Sequence, residues 1–376
     1  MDRERNYTAT AADEGKRLDN ILRRLMPDVS LGRIAKLVRK KRIRVNDAKS
    51  RHQQRVHEGD VITFVEAPME EAWTKKGRAR VMSGKVAMVD SLDFTVLYED
   101  EHMLAVAKPA GLLVHGSLKE PNAPTLIDQV LAYVAQKQVD DTDSDEESDR
   151  SLSEFVRPSP TFQPSLAHRI DRHTSGVVLI AKTIECLQEL TRMIRKRAVD
   201  KYYIGLVKGG LAGGSGVIDA PVSRRDQAGK KAGRHKVDVG RDKVAAKPSI
   251  TKYKTLAQRG TYSLVEFELI TGRTHQIRAH LRHVGSALIG DDEYGDRTLN
   301  RHVAQNFGLK RQFLHAMRVV LDHPMREGER LDIVAPLPDD LAHCLDQAGF
   351  ESSALPQALQ EEFEESTQRL GGESDG

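Results

Sequence analysis

The spacing of apolar residues near the N-terminus predicts a small helical module with a pair of strands. Apolar side chains recur every three or four residues, as in two helices: Leu18, Ile21, Leu22 and Leu25, then Ile34, Leu37 and Val38. Ser30 stands where an N-cap of the second helix is expected. The stretches RIRVN and DVITFVEA then alternate like strands. We therefore predict a domain over residues 15–66.

A longer and more varied pattern predicts a second domain over residues 93–350. Strands are predicted at FTVLYED, HMLAVAK, 176–182, KYYIGLVKG, SITKYKTLA, YSLVEFELI, QFLHAMRVVL and RLDIVAP. Helices are predicted at TLIDQVLAYVAQKQ, from Ile184 to Arg197 and from Thr274. Because these strands do not alternate regularly with helices, we predict an α+β fold with a mixed, mostly antiparallel sheet.

Segments without a steady period are expected to flank or connect these domains. Residues 1–14 are predicted to be a flexible lead and residues 67–92 a linker. Residues 139–154 are predicted to form an acidic loop, residues 224–247 a basic exposed loop, and residues 351–376 an acidic, disordered tail.

The net charge of +3 conceals strong local asymmetry. Residues 16–55 hold 14 Lys or Arg against three acids, and residues 224–247 hold nine against three. Clustered basic surfaces are typical of proteins that bind nucleic acid. Solvated charged faces would produce the same pattern, so composition alone leaves both interpretations open.

Composition also indicates the class of protein and its compartment. The chain of 376 residues contains two cysteines, neither in a C-x-x-C arrangement, which argues against a disulfide framework. It has no apolar run of the roughly 20 residues that would span a bilayer, and its N-terminus lacks the apolar core of a secretory signal. We expect a cytoplasmic protein with no membrane association.

Two polar clusters carry the candidate chemistry. HRIDRHTSGVVLIAKT places Asp171 between two arginines, directly before a β-branched run that would form a rigid strand. GRTHQIRAH follows about a hundred residues later and is also rich in arginine and histidine. An acid beside fixed positive charge indicates a reaction centre for a polyanionic substrate.

The second cluster is predicted to be helical. Ile277, Leu281 and Val284 would then share an apolar face, and His275, Arg278 and Arg282 another. If Arg278 reaches Asp171, it favours the ionised carboxylate, which can act as a nucleophile or a base. A structural ion pair remains an alternative interpretation.

Other candidate sites are weaker. His275, His280 and His283 do not make a zinc set, because no carboxylate or cysteine completes one, and no nucleotide fingerprint is present. We therefore predict neither a metal nor a cofactor. Of Tyr202 and Tyr203, adjacent on a strand, one would face the cleft and stack on a nucleobase, and we interpret Tyr202 as a half-buried strand residue.

The N-terminal module resembles the S4 RNA-binding domain in RLDNILRRL, IAKLVRK, RVN and EGDVI. The resemblance implies that its basic second helix and exit present charge to RNA: Arg33, Lys36, Arg39, Lys40 and Lys41. Lys41 occupies the position where the S4 family usually has glycine, so the turn before RVN is the doubtful feature.

The whole chain resembles the RluA-type pseudouridine synthases, and among them the large-subunit rRNA enzymes of RluC type. The motifs are LYEDEHMLAVAKPAGLLVHG, HRIDRHTSGVVLIAKT, KYYIGLVKG, TGRTHQIRAHL, GDDEYGD and FLHA. Position by position, the resemblance implies that Asp171 is the catalytic aspartate and that Arg278 is its basic partner. It also implies that Tyr203 packs on the uracil, that Arg169 helps to displace the target nucleotide, and that Ile277 is the apolar residue beside Arg278. We place His275 with the RNA-binding residues.

The resemblance implies isomerisation of uridine to pseudouridine in folded RNA, most simply 23S rRNA or an assembling large subunit, by a monomeric enzyme without cofactor. A tRNA substrate is a second hypothesis within the same chemistry. The third hypothesis is a non-catalytic RNA-binding protein, in which Asp171 and Arg278 form a structural pair.

Overall fold

The chain divides into two compact units in a computed structural model. The first unit comprises residues 1–92, 127–165 and 182–185, and the second comprises residues 93–126, 166–181 and 186–376. The structure describes residues 5–26, 31–64, 92–116, 120, 123–140, 163–224, 237–239 and 246–372. No helix within these ranges is long and apolar enough to cross a membrane.

The first unit contains the helix pair and the small sheet expected of an S4 module. Helices α1 and α2 span Leu18–Leu25 and Leu31–Arg39, and strands β1, β2 and β3 span Arg5–Thr8, Ile43–Val45 and Val61–Phe64. The strands form an antiparallel sheet in the order β1-β3-β2. The core of the first unit consists of apolar residues from both helices and from the strands, including Leu18, Ile21, Leu22, Ile34, Val38 and Ile62. The predicted N-cap Ser30 lies outside the described residues.

The prediction of a flexible lead over residues 1–14 is wrong from residue 5 onward. Strand β1 pairs with β3 from Arg5 opposite Phe64 to Thr8 opposite Val61. The Tyr7 hydroxyl donates a hydrogen bond to the Asp13 carboxylate at 2.5 Å. A four-residue edge strand is too short to show alternation in sequence, and its order comes from the partner strand.

The turn after α2 explains the lysine that replaces the expected glycine. Lys41 adopts a left-handed conformation with φ of 57°. Its amide donates to the Val38 carbonyl at 3.0 Å, and the Arg42 amide donates to Leu37 at 3.0 Å, which is the Schellman pattern of helix termination. The turn therefore keeps its geometry with lysine, at a backbone cost of about 1–2 kcal/mol.

The second unit is built on an eleven-stranded sheet, counted over the described residues. Its strands are Thr95–Glu99 (β4), Met103–Lys108 (β5), Ser165–Leu166 (β6), Ser175–Ala181 (β7), Val199–Lys208 (β8), Ser215–Asp219 (β9), Ile250–Arg259 (β12), Tyr262–Leu269 (β13), Ala287–Leu288 (β14), Leu314–Asp322 (β15) and Arg330–Val334 (β16). Their main order is β4-β5-β7-β15-β8-β13-β12-β9, with β6 beside β7, β14 beside β8 and β16 beside β15. Only β7 and β15 pair in parallel, so the predicted mixed, mostly antiparallel sheet is confirmed.

Helices cover the sheet through two apolar clusters. Helix Leu126–Asp140 (α3) belongs almost entirely to the first unit. The helices that follow along the chain are Ile184–Lys196 (α4), Gln276–His283 (α5), Arg297–Asn306 (α6), Asp339–Gln347 (α7) and Gln360–Gly372 (α8). One cluster joins α4 to residues of the sheet such as Val177 and Val319. The other joins Ile204 and Leu264 to residues of α6, α7 and α8.

The predicted disordered tail over 351–376 is wrong for most of its length. Leu355, Leu359 and Phe363 are buried in the cluster with α7, and α8 continues to Gly372. Only Phe363 lies on α8, whereas Leu355 and Leu359 precede it in and beside short 3₁₀ turns. The three apolar side chains therefore share no helical face that would stand out in an acidic sequence.

Three other predicted segments are only partly described. The predicted acidic loop 139–154 begins inside α3, which extends to Asp140, and its remainder lies outside the described residues, as do residues 67–91 of the predicted linker. The predicted loop 224–247 is not simply a loop. Val222–Arg224 (β10) pairs with Val237–Val239 (β11) in a two-stranded sheet.

Candidate active site

Asp171 lies in a tight turn at the entrance to β7. The Thr174 amide donates to the Asp171 carbonyl at 3.1 Å, and the Thr174 hydroxyl accepts from the Gln312 side chain at 2.7 Å. Every residue of β7 is buried, which makes this strand a rigid support. The Asp171 side chain itself is 21% exposed, so its carboxylate is accessible.

The glycine after this turn allows β7 to approach β15 closely. Gly176 has φ of 118°, and a Cβ placed there would lie 2.1 Å from the Ala316 carbonyl oxygen. Beside it, the Ser175 hydroxyl lies 2.9 Å from His315 Nδ1, also on β15. These contacts explain the Thr-Ser-Gly run after the Asp171 turn, since larger residues would separate the two strands.

The guanidinium of Arg278 contacts the carboxylate of Asp171, as the sequence predicted. Arg278 Nη1 donates to Asp171 Oδ2 at 3.1 Å. The same guanidinium binds Asp291 with Nε at 2.6 Å and Nη2 at 2.9 Å, and Glu293 lies 3.4 Å from Nη2. Arg278 therefore has an anchoring carboxylate in Asp291 and a second, more accessible one in Asp171.

Burial and charge together determine the pKa values of Arg278 and of Asp291, the carboxylate that anchors it. Burial raises the pKa of Asp291, but the hydrogen bonds and charge of Arg278 outweigh it and lower that pKa overall. Burial lowers the pKa of Arg278, and the carboxylates of Asp291 and Asp171 reverse that direction. Arg278 therefore remains a fixed positive charge, with Nη1 3.1 Å from Asp171 Oδ2.

His275 lies beside this pair but not on the helix. It precedes α5 and adopts a left-handed conformation with φ of 54°, so the prediction that placed it on one helical face with Arg278 and Arg282 is wrong. Its Nε2 lies 3.9 Å from Asp171 and its Nδ1 lies 3.2 Å from the Tyr294 hydroxyl. Burial lowers the pKa of His275, which favours the neutral ring. Strained backbone of this kind is concentrated at functional sites.

The apolar face of α5 is shorter than predicted. Ile277 and Leu281 are buried, whereas Val284 follows the last helical residue and is 46% exposed. The side chain of Gln276 accepts hydrogen bonds from the Thr271 hydroxyl at 2.8 Å and the Arg273 amide at 3.0 Å. These contacts hold the loop before α5 in the geometry that orients Arg278.

Tyr203 and Tyr202 face opposite sides of the sheet, as strand alternation requires. Tyr203 is buried, and burial raises the pKa of its phenol, to which the negative charge of Asp171 contributes in the same direction. Tyr202 instead packs against the cluster with α7, with its ring centroid 5.8 Å from the Arg318 guanidinium.

Two further residues near Asp171 received no role from the sequence. Lys108 is buried and donates to the carbonyls of Pro109, Leu112 and Arg172 at 2.6, 3.0 and 3.0 Å, which ties the loop after β5 to the Asp171 turn. Burial lowers the pKa of Lys108. Asp291 lies in the quoted motif GDDEYGD, and its position one residue after a glycine gave no sign that it would bind Arg278.

The remaining predicted site residues are exposed wherever their side chains are described. Arg169 is exposed at the mouth of the turn, with Nη1 3.4 Å from His115 Nε2. On the first unit, the exposed basic residues of the prediction are Lys36, Arg39, Lys40 and Lys41. The structure does not describe the side chain of Arg33.

The histidines close together in sequence, His275, His280 and His283, have separate surroundings in the described part of the chain. His280 is buried and occupied by the Thr251 hydroxyl and the Ala220 carbonyl, each at 2.9 Å. No group of three histidine, cysteine or acidic residues that could hold a metal ion occurs among the described residues.

Comparison with known proteins places these features in one family. Residues 102–283 match the family model for RNA pseudouridylate synthase, and residues 16–62 match the S4 domain. Ribosomal large subunit pseudouridine synthase C of Vibrio vulnificus (strain CMCP6) is 34% identical over 87% of this chain and 91% of that protein. The protein of the same name from Escherichia coli O157:H7 is 32% identical over 89% and 94%.

A solved human structure, RNA Pseudouridylate Synthase Domain Containing 4, is 22% identical and covers 73% of this chain and 97% of that chain, with a TM-score of 0.49. The family model and the two bacterial relatives identify the family. The chain belongs to the RNA pseudouridylate synthase family, and is an isomerase of that family with an N-terminal S4 domain.

Proposed function

We propose that this protein converts specific uridines of 23S rRNA, the large-subunit rRNA, to pseudouridine, and that Asp171 acts on the target nucleotide. The observation that carries the proposal is the accessible Asp171 carboxylate, held 3.1 Å from a buried arginine that Asp291 anchors separately. The names of the bacterial relatives support the large ribosomal subunit as the source of the RNA.

The reaction breaks the C1′–N1 bond, turns the uracil and forms a C1′–C5 bond. The proton on C5 leaves and N1 gains one, so the composition of the RNA is unchanged and neither a cofactor nor an energy source is required. Asp171 can serve by attacking C1′, by adding to C6 or by removing the 2′ proton. Each route requires an ionised carboxylate, and Arg278 supplies a fixed positive charge beside it.

The target uridine must leave its stack to reach Asp171, at a cost of a few kcal/mol. We assign Tyr203 to packing on the extruded uracil, with Ile277 supporting the wall beside Arg278. Arg169 is exposed and is assigned to the space that the nucleotide vacates. We assign His275 to contact with the RNA, because its Nε2 lies 3.9 Å from the Asp171 carboxylate.

We further propose that the basic residues of the S4 domain bind RNA phosphates: Arg33, Lys36, Arg39, Lys40 and Lys41. We also propose that the enzyme is monomeric and acts in the cytoplasm.

Tritium release from RNA labelled with [5-³H]uridine tests this function, because only C5 exchange releases the label. Wild-type protein should release tritium from 23S rRNA fragments, and Asp171→Asn should release none while it still binds RNA. Release from tRNA but not from 23S rRNA would contradict the substrate, and activity of Asp171→Asn would contradict the role of the carboxylate.

A further inference from the structure

A basic cavity lies next to the carboxylate that anchors Arg278. It has a volume of about 430 Å³, and helix α6 forms one of its walls. Its polar lining includes three basic side chains, one amide and one acid: Arg297, Arg301, Lys310, Asn300 and Asp292. The excess of positive charge makes it suited to an anion.

The two arginines of this cavity are placed where they repel each other. Arg297 and Arg301 are four residues apart on α6, and both are exposed. Like charges at this spacing destabilise a helix. Among the described residues, neither arginine nor Lys310 has a carboxylate within 4.0 Å, whereas Arg311 and Arg318 are paired with Asp340 and Asp332. The cavity thus presents cations that the protein itself does not neutralise.

The cavity is fixed in position relative to Arg278. The Asn300 side chain on α6 accepts from the Gly290 amide and donates to the Asp291 carbonyl, both at 2.9 Å. Asp291 in turn binds Arg278, which contacts Asp171. The cavity wall is therefore connected by direct hydrogen bonds to the residue that anchors the proposed reaction centre.

We propose that Arg297, Arg301 and Lys310 bind a backbone phosphate of the RNA substrate, on the strand that flanks the extruded uridine. This inference rests on the proposed function. The cavity wall is hydrogen-bonded to Asp291, which binds the arginine that contacts Asp171, so an RNA whose uridine reaches Asp171 brings its neighbouring phosphates towards this surface. Arginine and lysine are the side chains that neutralise phosphates in nucleic-acid complexes, and such contacts position the strand without reading its sequence. The carboxylate of Asp292, which also lines the cavity, offsets one of its three positive charges.

RNA binding by the full chain tests the site, measured in the Asp171→Asn background so that the RNA is not converted. The double variant Arg297→Gln/Arg301→Gln should bind a uridine-containing RNA about tenfold more weakly, and the slope of log K against log salt should fall by about 1–2. Asp292→Asn should bind more tightly. The control Arg195→Gln/Lys196→Gln removes two charges from exposed positions of α4 that do not line the cavity, and should behave as the parent.

Unchanged affinity and slope in the Arg297/Arg301 variant, with normal RNA binding by the parent, would overturn the phosphate site alone. Loss of binding to intact large subunits but not to deproteinised RNA would also overturn it and identify the surface as a protein contact. A parent that binds no RNA would overturn both proposals. Failure of tritium release from 23S rRNA, with the binding difference intact, would overturn only the proposed substrate.

Discussion

Arg278 binds Asp291 through two nitrogens, at 2.6 and 2.9 Å, in addition to its contact with Asp171. A buried arginine that depended on Asp171 alone would lose its only counter-charge whenever that carboxylate reacted. Asp291 is completely buried and its pKa is lowered by Arg278, so it anchors Arg278 independently of Asp171. In the reaction that we propose, Arg278 would therefore keep its position and charge while Asp171 acts.

Asp171→Asn should separate stability from activity. Asp171 is partly exposed and Arg278 keeps Asp291, so we expect the free energy of unfolding to change by less than about 1 kcal/mol. Tritium release should fall below detection. Urea unfolding and the release assay on one preparation check both values. A loss of stability of about 3 kcal/mol or more would indicate the structural ion pair that the sequence left open.

Asp291→Asn should have the opposite pattern. It removes the anchoring charge from a buried arginine, which we expect to lower the free energy of unfolding by about 3 kcal/mol, measured by urea unfolding. Activity should also fall, because Arg278 is no longer held beside Asp171. The neighbouring Asp292→Asn is the matched control, since Asp292 is exposed and its loss should cost less than about 0.5 kcal/mol. Equal effects of the two substitutions would refute the anchoring role.

Stability should decrease in acid partly through His315. The ring is fully buried, with Nδ1 2.9 Å from the Ser175 hydroxyl and Nε2–H donating to the Ala335 carbonyl at 3.2 Å, so a charged ring would be enclosed by the core. Burial lowers the pKa of His315 to about 4, whereas the pKa of a histidine in an unfolded chain is about 6.5. Between these values the unfolded chain binds a proton that the folded chain does not, so stability falls as the pH falls, by up to about 1.4 kcal/mol per pH unit.

His315→Gln keeps a donor for Ala335 and removes the titration. Urea unfolding from pH 7 to pH 4 should therefore give a flatter dependence for this variant than for wild type, whatever its absolute stability. Parallel curves would mean that His315 does not contribute to the acid sensitivity.

Tyr203→Phe should retain most of the activity. The phenyl ring keeps the surface that we assign to the uracil, and base stacking on an aromatic ring contributes about 1–3 kcal/mol. Tyr203→Leu should lose this stacking, with kcat/KM reduced about ten- to a hundredfold in single-turnover assays, and circular dichroism would verify the fold. Complete inactivity of the phenylalanine variant would show that the hydroxyl has a role of its own.

Periodicity was sufficient to predict the elements whose apolar faces are wide. Strand β7 and helix α1 are both evident in the sequence, because every residue of β7 is buried and Leu18, Ile21 and Leu22 line one helical face. Strand β1 and helix α8 were missed, since their order depends on partners distant in sequence: β3 for the first and α7 with its cluster for the second. Local patterns carry little information about such elements.

For the site, the order of residue types along the chain was sufficient to select Asp171 and Arg278 as candidates, since an acid at a strand entrance and a cation on an amphipathic helix are local features. Only the tertiary structure decided that Asp291 anchors Arg278, that His275 turns into the left-handed region, and that Lys108 ties two loops together. Each of these depends on where distant segments meet, because a buried charge is tolerated only where folding brings a partner to it.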